Sequence, residues 1–121
     1  MKTAYISHPI SGDVQGNLKK IKNISREINL NEPDVVPFAP YFIDCHALDD
    51  SNPEERKRGI KNNTHILRSG FVDELRLYGD RISDGMMADA AIAYLEGIKI
   101  IPMTDNIKNE LDKAKQNIVK K

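Results

Sequence analysis

The chain has 121 residues, of which 40% are hydrophobic and 30% are charged. This length predicts one domain, residues 1–121, with a single hydrophobic core. The 18 Lys and Arg residues balance the 18 Asp and Glu residues, so the net charge favours neither a nucleic acid polymer nor a membrane surface as partner. Apolar runs fall short of the ~20 residues that a membrane helix needs, and we predict a cytoplasmic protein.

The cysteine and histidine residues limit which disulfides and metal sites are possible. Cys45 is the single cysteine, which excludes an internal disulfide, and the sequence contains no Cys/His spacing typical of a zinc site. We therefore expect neither a bound metal nor a cofactor, and the fold must depend on its core.

The first half of the sequence alternates strand and helix patterns. Residues 2–7 form a short apolar run that predicts a strand followed by a loop. Apolar residues then recur at helical spacing through residues 15–29, which predicts an amphipathic helix. Residues 35–39 predict a second strand, shortened by Pro37, and a long loop is expected over residues 40–52.

The alternation continues in the second half. Ser51 or Asn52 before Pro53 predicts a capped helix start, and Ile60, Leu67 and Phe71 are expected on one face of that helix. The later predicted elements are a strand at 74–78, a helix at 86–96, a strand at 98–102 and a final helix at about 105–118.

This order of elements predicts an α/β domain with a parallel sheet of about four to five strands and helices on both faces. Ligands of such sheets lie outside the carboxyl ends of the strands. The segments that reach this edge are residues 7–12, 40–52 and 79–85.

The loop after the first strand lacks both GxGxxG and the Walker lysine, so neither dinucleotide nor P-loop recognition is indicated. Tyr5 at the strand end could hold a carboxylate through its hydroxyl group. The small residues Ser7, Ser11 and Gly12 would let a ligand approach the backbone. The alternative is that Tyr5 only packs in the sheet and the loop only turns.

A second candidate segment begins at Ser83 and runs to Asp89. It predicts a helix amino terminus at the same edge, where free amides favour an anion. We expect Asp84 to be the N-cap of this helix. Asp89, one turn further on, faces either the strand-end pocket or solvent.

Two histidines are candidate acid or base groups near neutral pH. His46 lies in the expected long loop and His65 in the helix before the third strand. The alternative for both is an ordinary surface or hydrogen-bonded role.

The combination of short segments is more specific than any one of them. The segments are Tyr5-Ile6-Ser7-His8-Pro9 with Ser11-Gly12, Pro37-Phe38-Ala39-Pro40, Leu48-Asp49-Asp50 with Pro53-Glu54-Glu55-Arg56, Asp73-Glu74-Leu75, and Ile82-Ser83-Asp84-Gly85-Met86 with Ala93 and Gly97-Ile98. Together, over about residues 2–103, they resemble the nucleoside 2-deoxyribosyltransferase-like family. The likeness is to its small uncharacterised bacterial and phage branch, related to deoxynucleoside-monophosphate N-glycosidases.

The resemblance implies a flavodoxin-like fold, a homodimer or higher homo-oligomer, and a small nucleoside or nucleotide as ligand. It also implies cleavage of the bond between sugar C1′ and base by a carboxylate nucleophile, which falls on Asp89, oriented by Tyr5. A carboxylate suits this chemistry because it stabilises an oxocarbenium-like transition state and can then trap the sugar. The implied sugar or phosphate cradle is Ser83, Gly85 and the Met86 amide.

The sequence departs from the family pattern at two positions. Asp89 is one methylene shorter than the glutamate of the family, which retracts the carboxylate by roughly 1.5 Å. The second carboxylate of the family falls near residues 62–65, where His65 could replace it. Tyr41 or Phe42 is expected to stack on the base, and the other expected ligand contacts are Ser7, His8, Pro9, Gly12, His46 and Asp84.

Three functions remain open from the sequence. The first is an N-glycosidic-bond hydrolase or deoxyribosyltransferase. The second is a catalytically weak or inactive nucleotide-binding protein, a sensor or sequestering protein, on the same fold. The third is an interaction module in which the long loop is a subunit interface.

Overall fold

The computed structural model describes residues 1–119 of the chain. Strands and helices alternate along this range. In chain order they are β1 (Lys2–Ser7), α1 (Val14–Asn31), β2 (Val35–Phe38), α2 (Tyr41–Ala47), α3 (Pro53–Leu67), β3 (Glu74–Leu77), α4 (Asp84–Leu95), β4 (Lys99–Pro102) and α5 (Asp105–Val119).

The sheet is parallel throughout, with the strand order β2-β1-β3-β4. The α/β prediction is therefore confirmed, and the architecture is a flavodoxin-like three-layer fold. The chain runs from β1 outward to β2 and then crosses to β3 on the other side of β1. The loops after β1 and β3 consequently flank the point where the strand order reverses, which is where such folds bind ligands.

The central strands carry the core. All four residues of β3 and the last four of β1 are buried, as expected of parallel strands covered on both faces. Alternate β1 residues point to opposite faces. On one face Ser7 contacts α4, and on the other Ala4 and Ile6 are paired with Glu74 and Arg76. Arg76 also binds Glu32 at the end of α1, so α1 covers this second face.

The expected loop over residues 40–52 contains a helix, α2, and its prediction as a continuous loop is wrong. Pro40 has a φ of −62° and lies at the N-cap of α2, a backbone angle that suits a helix start. Tyr41 anchors the helix, because its hydroxyl donates to the Ile6 carbonyl at 2.5 Å.

The start of α3 is as predicted, since the Asn52 side chain accepts from the amides of Glu54 and Glu55. The predicted apolar face of this helix is wrong except at Leu67. Ile60 is 57% exposed, and Phe71 lies beyond the end of the helix. Phe71 packs instead against the Phe38 ring in an edge arrangement, with centroids 5.6 Å apart.

The N-cap of α4 is Ser83. The prediction of Asp84 as the N-cap is therefore wrong. The Ser83 hydroxyl oxygen accepts from the Met86 amide at 3.3 Å, while Asp84 is exposed in the first turn. A carboxylate in that turn still interacts favourably with the positive end of the helix dipole.

Within residues 1–119, no helix has both the length and the apolar composition needed to cross a bilayer.

Candidate functional site

The sequence candidates Tyr5, Ser7 and Asp89 meet at the carboxyl end of β1. Tyr5 and Ser7 lie two residues apart on the strand and therefore point to the same face of the sheet. The inner face of α4 brings Asp89 to this face, where Ser7 Oγ donates a hydrogen bond to Asp89 Oδ2 at 3.1 Å. Residues 82 positions apart are thereby joined in one cluster.

Asp89 lies in a poorly solvated position. Its neighbours on the inner face of α4 are Met86, Ala90 and Ala93, which are all buried. Burial raises the pKa of the Asp89 carboxyl group to about 7, and the hydrogen bond from Ser7 only partly opposes this shift. Near neutral pH the group is therefore divided between its protonated and ionised forms.

Tyr5 is completely buried, and no protein group in the described range hydrogen-bonds to its hydroxyl. Burial raises the pKa of this phenol well above its usual value. The nearby groups whose charge raises it further are Asp89, Tyr41 and Asp44, in that order. The hydroxyl is therefore neutral, and Asp89 is near enough for its charge to act on the pKa of Tyr5. A buried polar group without a partner costs about 1–3 kcal/mol, so its retention points to a role outside packing.

Tyr41 supports Tyr5 from inside the core. The two rings are tilted by 44° with centroids 6.0 Å apart, and the Tyr41 ring is buried. The expectation that Tyr41 stacks on a base therefore does not fit its position. Phe42 is half-buried and makes an edge contact with His46 at a centroid distance of 5.2 Å.

Two further residues belong to this cluster. One is Asp44, which was not predicted from the sequence, and the other is Asn62, which lies in the 62–65 stretch where the second carboxylate of the family falls. Asp44 on α2 raises the pKa of Tyr5 through its charge, and Asn62 on α3 donates to Asp44 Oδ2 at 3.3 Å. Asp44 follows Tyr41 by three residues, so both lie on the same side of α2. The spacing of Tyr41 and Asp44 would have indicated that they belong together only if residues 41–47 had been predicted as a helix.

His8 and Pro9 lie in the loop after β1, next to Gly79 in the loop after β3. His8 is buried, and its Nδ1–H donates to the Pro9 carbonyl at 2.7 Å. Burial lowers the pKa of His8, so its imidazole is neutral near pH 7. Pro9 lies so close to Gly79 that a Cβ there would be 2.8 Å from Pro9 Cδ, and Gly79 has a φ of +98°. A side chain at position 79 would therefore disrupt the junction of the two loops.

The amino terminus of α4 is less open than the expected cradle. The Met86 amide is bonded to Ser83 Oγ, and the Met86 side chain is buried in the core. Gly85 and Asp84 are exposed. The capping hydrogen bond thus occupies the Met86 amide, which was expected to bind the sugar or phosphate of the ligand.

Gly12, His46 and His65 are exposed, and no described hydrogen bond joins them to Asp89. His65 lies on α3 beside a shallow cleft of about 370 Å³, whose wall also includes Asn62. Since Asn62 holds Asp44, this cleft borders the Asp44 end of the cluster.

In residues 1–119, no three His, Cys, Asp or Glu side chains lie close enough together to hold a metal ion.

Residues 2–103 match the family described as Domain of unknown function (DUF7768). The chain belongs to the DUF7768 family. No curated protein matches the chain. The DUF7768 match begins at β1 and ends after β4, so it includes Tyr5, Ser7, Asp44 and Asp89 and leaves out α5.

Proposed function

We propose that this protein cleaves the N-glycosidic bond of a nucleoside or nucleotide, as a hydrolase or a deoxyribosyltransferase, with Asp89 as nucleophile. One observation carries the proposal. Asp89 lies at the carboxyl edge of the parallel sheet, hydrogen-bonded to Ser7 and beside the unpartnered hydroxyl of Tyr5. The resemblance of the surrounding segments to nucleoside 2-deoxyribosyltransferase-like proteins supports the same chemistry.

The proposed reaction has two steps. An Asp89 carboxylate oxygen attacks C1′, and the electron pair of the breaking C1′–N bond leaves with the base, which takes up a proton from solvent. In hydrolysis a water oxygen then attacks C1′, the bond to Asp89 breaks, and the water gives up a proton to solvent. In transfer a nitrogen of a second base attacks C1′ instead and loses its proton to solvent. The ionised carboxylate stabilises the positive charge that develops on the sugar in both steps.

Tyr5 and Asp44 have separate roles in this proposal. When substrate is bound, the Tyr5 hydroxyl, which has no protein partner among the described residues of the free protein, donates to the oxygen of Asp89 that does not attack and so holds the carboxylate under the sugar. Asp44, fixed by the Asn62 amide, accepts hydrogen bonds from the N–H groups of the base. The oxygens of the Asp44 carboxyl group are hydrogen-bond acceptors, so Asp44 favours bases that present donors.

The test is chromatography of nucleoside and deoxynucleoside-monophosphate mixtures after incubation with wild type and Asp89 variants. We expect free base from wild type, a loss of at least ~100-fold with Asp89→Asn, and preserved or higher activity with Asp89→Glu. Asp34→Asn is the matched control, because Asp34 is exposed and precedes β2 at the opposite, amino edge of the sheet, and it should keep full activity. If neither wild type nor Asp89→Glu released base, the glycosidase proposal would be wrong.

A second candidate, nucleotide binding without turnover, is favoured by one observation. The Asp89 side chain is short and its carboxylate is held toward β1 by Ser7 at 3.1 Å, which increases its distance from a ligand above the strand end. This candidate expects nucleotides to raise the melting temperature of the wild type while no base is released. An unchanged melting temperature with nucleosides and nucleotides would exclude it.

A further inference from the structure

Helix α5 lies outside the part of the chain that matches the DUF7768 family, which ends at residue 103. Side chains from this last segment nevertheless reach the loop at residues 79–83, which follows β3. The loop lies at the carboxyl edge of the sheet and leads into α4, the helix that carries Asp89. Two hydrogen bonds join the last segment to this loop, one near each end of it.

The first bond comes from Thr104, the residue before α5. Its hydroxyl donates to the Gly79 carbonyl at 2.7 Å and accepts from the Ile107 amide at 3.2 Å. Accepting from the amide three residues on is the role of a helix N-cap, so one hydroxyl group fixes both the start of α5 and the start of the loop. Gly79 also lies against the Pro9 ring, which extends the effect of this bond to the loop after β1.

The second bond comes from Glu110 in the second turn of α5. Glu110 Oε2 accepts from the Ile82 amide at 2.6 Å, across 28 positions of the sequence. Ile107 precedes Glu110 by three residues, on the same side of the helix, and is completely buried. The helix beneath Glu110 is therefore anchored in the core, and its carboxyl group holds the loop from a fixed base.

The bond to Ile82 bears directly on Asp89. Ile82 immediately precedes Ser83, the N-cap at which α4 begins. From there α4 brings Asp89 to within 3.1 Å of the Ser7 hydroxyl. If the start of α4 moved, this contact would change, and a displacement of about 1 Å at a reacting group can lower a rate ~100-fold.

We propose that Glu110 is a positioning residue of the candidate site, which holds the Ile82 amide and so keeps α4, with Asp89, in its place against β1. Glu110 acts through the backbone of the loop and not through contact with a ligand. Its effect on base release rests on the proposed function, whereas its effect on the position of Asp89 does not.

The position of Asp89 is tested without any ligand, by carbon-13 NMR of its carboxyl group during a pH titration. Wild type should titrate near pH 7, because burial raises the pKa of Asp89 to about 7. In Glu110→Ala the loosened α4 admits water to the carboxyl group, so the midpoint should fall by at least ~1 pH unit. Glu110→Gln keeps an oxygen acceptor for the Ile82 amide and should titrate like wild type.

Asp112→Ala is the matched control, because Asp112 is an exposed carboxylate of the same helix, and it should leave the midpoint unchanged. Tyr5 and Tyr41 lie near Asp89, but burial raises the pKa of both, so neither ionises during the titration. Circular dichroism confirms that the variants are folded. Glu110→Asp, which retracts the carboxylate by roughly 1.5 Å, tests the same bond if Glu110→Ala does not fold.

Kinetics of base release at pH 8, where Asp89 is largely ionised, form the second arm. We expect kcat of Glu110→Ala to fall at least ~10-fold while KM changes less than ~3-fold, because the nucleophile is displaced. A residue that only adds stability would leave kcat unchanged well below the melting temperature.

The two arms separate failure of this proposal from failure of the proposed function. An unchanged Asp89 midpoint in Glu110→Ala, or equal shifts in Glu110→Ala and Glu110→Gln, would overturn the positioning role whether or not base is released. A lower midpoint in Glu110→Ala alone, in a protein that releases no base, would support the positioning role and overturn the glycosidase proposal.

Discussion

Tyr5 holds a hydroxyl group where a phenylalanine ring would pack with no loss of contact. The ring lies at 0% exposure in the middle of the sheet, and the oxygen has no protein partner in the described range. The hydroxyl therefore lowers the stability of the free protein, unless a ligand completes its hydrogen bonding. Such a cost is typical of residues kept for binding or catalysis.

The Tyr5→Phe variant tests this account. We expect its free energy of unfolding to increase by about 1 kcal/mol, because the variant buries no unsatisfied hydroxyl. Base release should decrease, since Asp89 loses its orienting donor. Urea denaturation measures the first effect and chromatography the second. A clear loss of stability would mean that the hydroxyl has a bonding partner and that its role is structural.

At the scale of the helices, the caps decide where each element begins. Asn52 at α3 and Ser83 at α4 both use a side-chain oxygen to satisfy amides of the first turn. Ser83 also bears on the site, because α4 carries Asp89 one and a half turns further along. A frayed first turn would loosen the contact between Asp89 and Ser7.

The assignment of Ser83 as the cap predicts unequal effects of two neighbouring substitutions. Ser83→Ala should lower the free energy of unfolding by about 1 kcal/mol, because the Met86 amide loses its acceptor. Asp84→Ala should cost only a few tenths of a kcal/mol, the size of an exposed interaction with the helix dipole. Thermal and urea unfolding compare the two variants. A larger effect of Asp84→Ala would show that Asp84 is the cap in solution.

The sequence predicted the strand and helix alternation well, because Pro and Gly mark the strand ends and apolar spacing marks the helices. It did not predict α2, since Pro40 both ends a strand and begins a helix. Ser83 and Asp84 are adjacent residues with similar cap preference, so sequence alone could not separate them.

Part of the candidate site was also predictable. Tyr5 and Asp89 were found from motif segments, and parallel topology brings strand ends and helix starts to one edge. Asp44 was not predicted, and the bond to it from Asn62, in the 62–65 stretch, was not predicted either, because this contact depends on how α2 packs on α3. The exposed apolar face of α4 was predicted only as part of an alanine- and methionine-rich helix, since a sequence does not tell which of two apolar faces is covered.

At the scale of the whole molecule, the two faces of the sheet carry carboxyl groups whose pKa values shift in opposite directions. On the α4 face the pKa of Asp89 is raised, and on the α1 face the pKa values of Glu32 and Glu74 are lowered. On the α1 face, Arg76 binds Glu32 through two hydrogen bonds of 2.8 Å and also binds the buried Glu74, which Lys2 contacts at 2.7 Å. The hydrogen bond from Arg76 lowers the pKa of Glu32. Burial acts to raise the pKa of Glu74, but the bonds from Lys2 and Arg76 outweigh it and the pKa is lowered.

These two clusters have opposite effects on stability as the pH changes. A lowered carboxyl pKa adds stability above about pH 4.5, and that contribution is lost as the pH falls through the folded-state value. A raised carboxyl pKa does the reverse. Asp89 in the folded protein keeps its proton up to about pH 7, whereas the unfolded chain releases it near 3.8. Ionising Asp89 therefore destabilises the fold progressively between these two values, and the penalty is complete above pH 7.

The lowered pKa of Glu32 predicts how the stability of Glu32→Gln depends on pH. The variant should be less stable than wild type at pH 6, because Arg76 loses the negative charge of the carboxylate to which it donates two hydrogen bonds of 2.8 Å. The difference should be smaller at pH 3, below the usual carboxyl pKa of 4.5, because the stability that comes from the lowered pKa of Glu32 is lost as the pH falls. Urea denaturation at the two pH values measures it. An equal difference at both would mean that the Glu32 charge contributes nothing.

The Asp89→Asn variant isolates the effect of Asp89 ionisation on stability as the pH rises. The asparagine keeps the shape of the side chain and the acceptor for Ser7 but cannot ionise. A shift of one pKa unit corresponds to about 1.4 kcal/mol. From pH 5 to pH 8, allowing for the partial exposure of Asp89, wild type should lose about 2 kcal/mol of unfolding free energy relative to the variant. The comparison removes the titration of His8 and all other groups, because both proteins share them. Parallel stability curves for the two proteins would show that Asp89 has an ordinary pKa, and that the carboxylate at this edge of the sheet is well solvated.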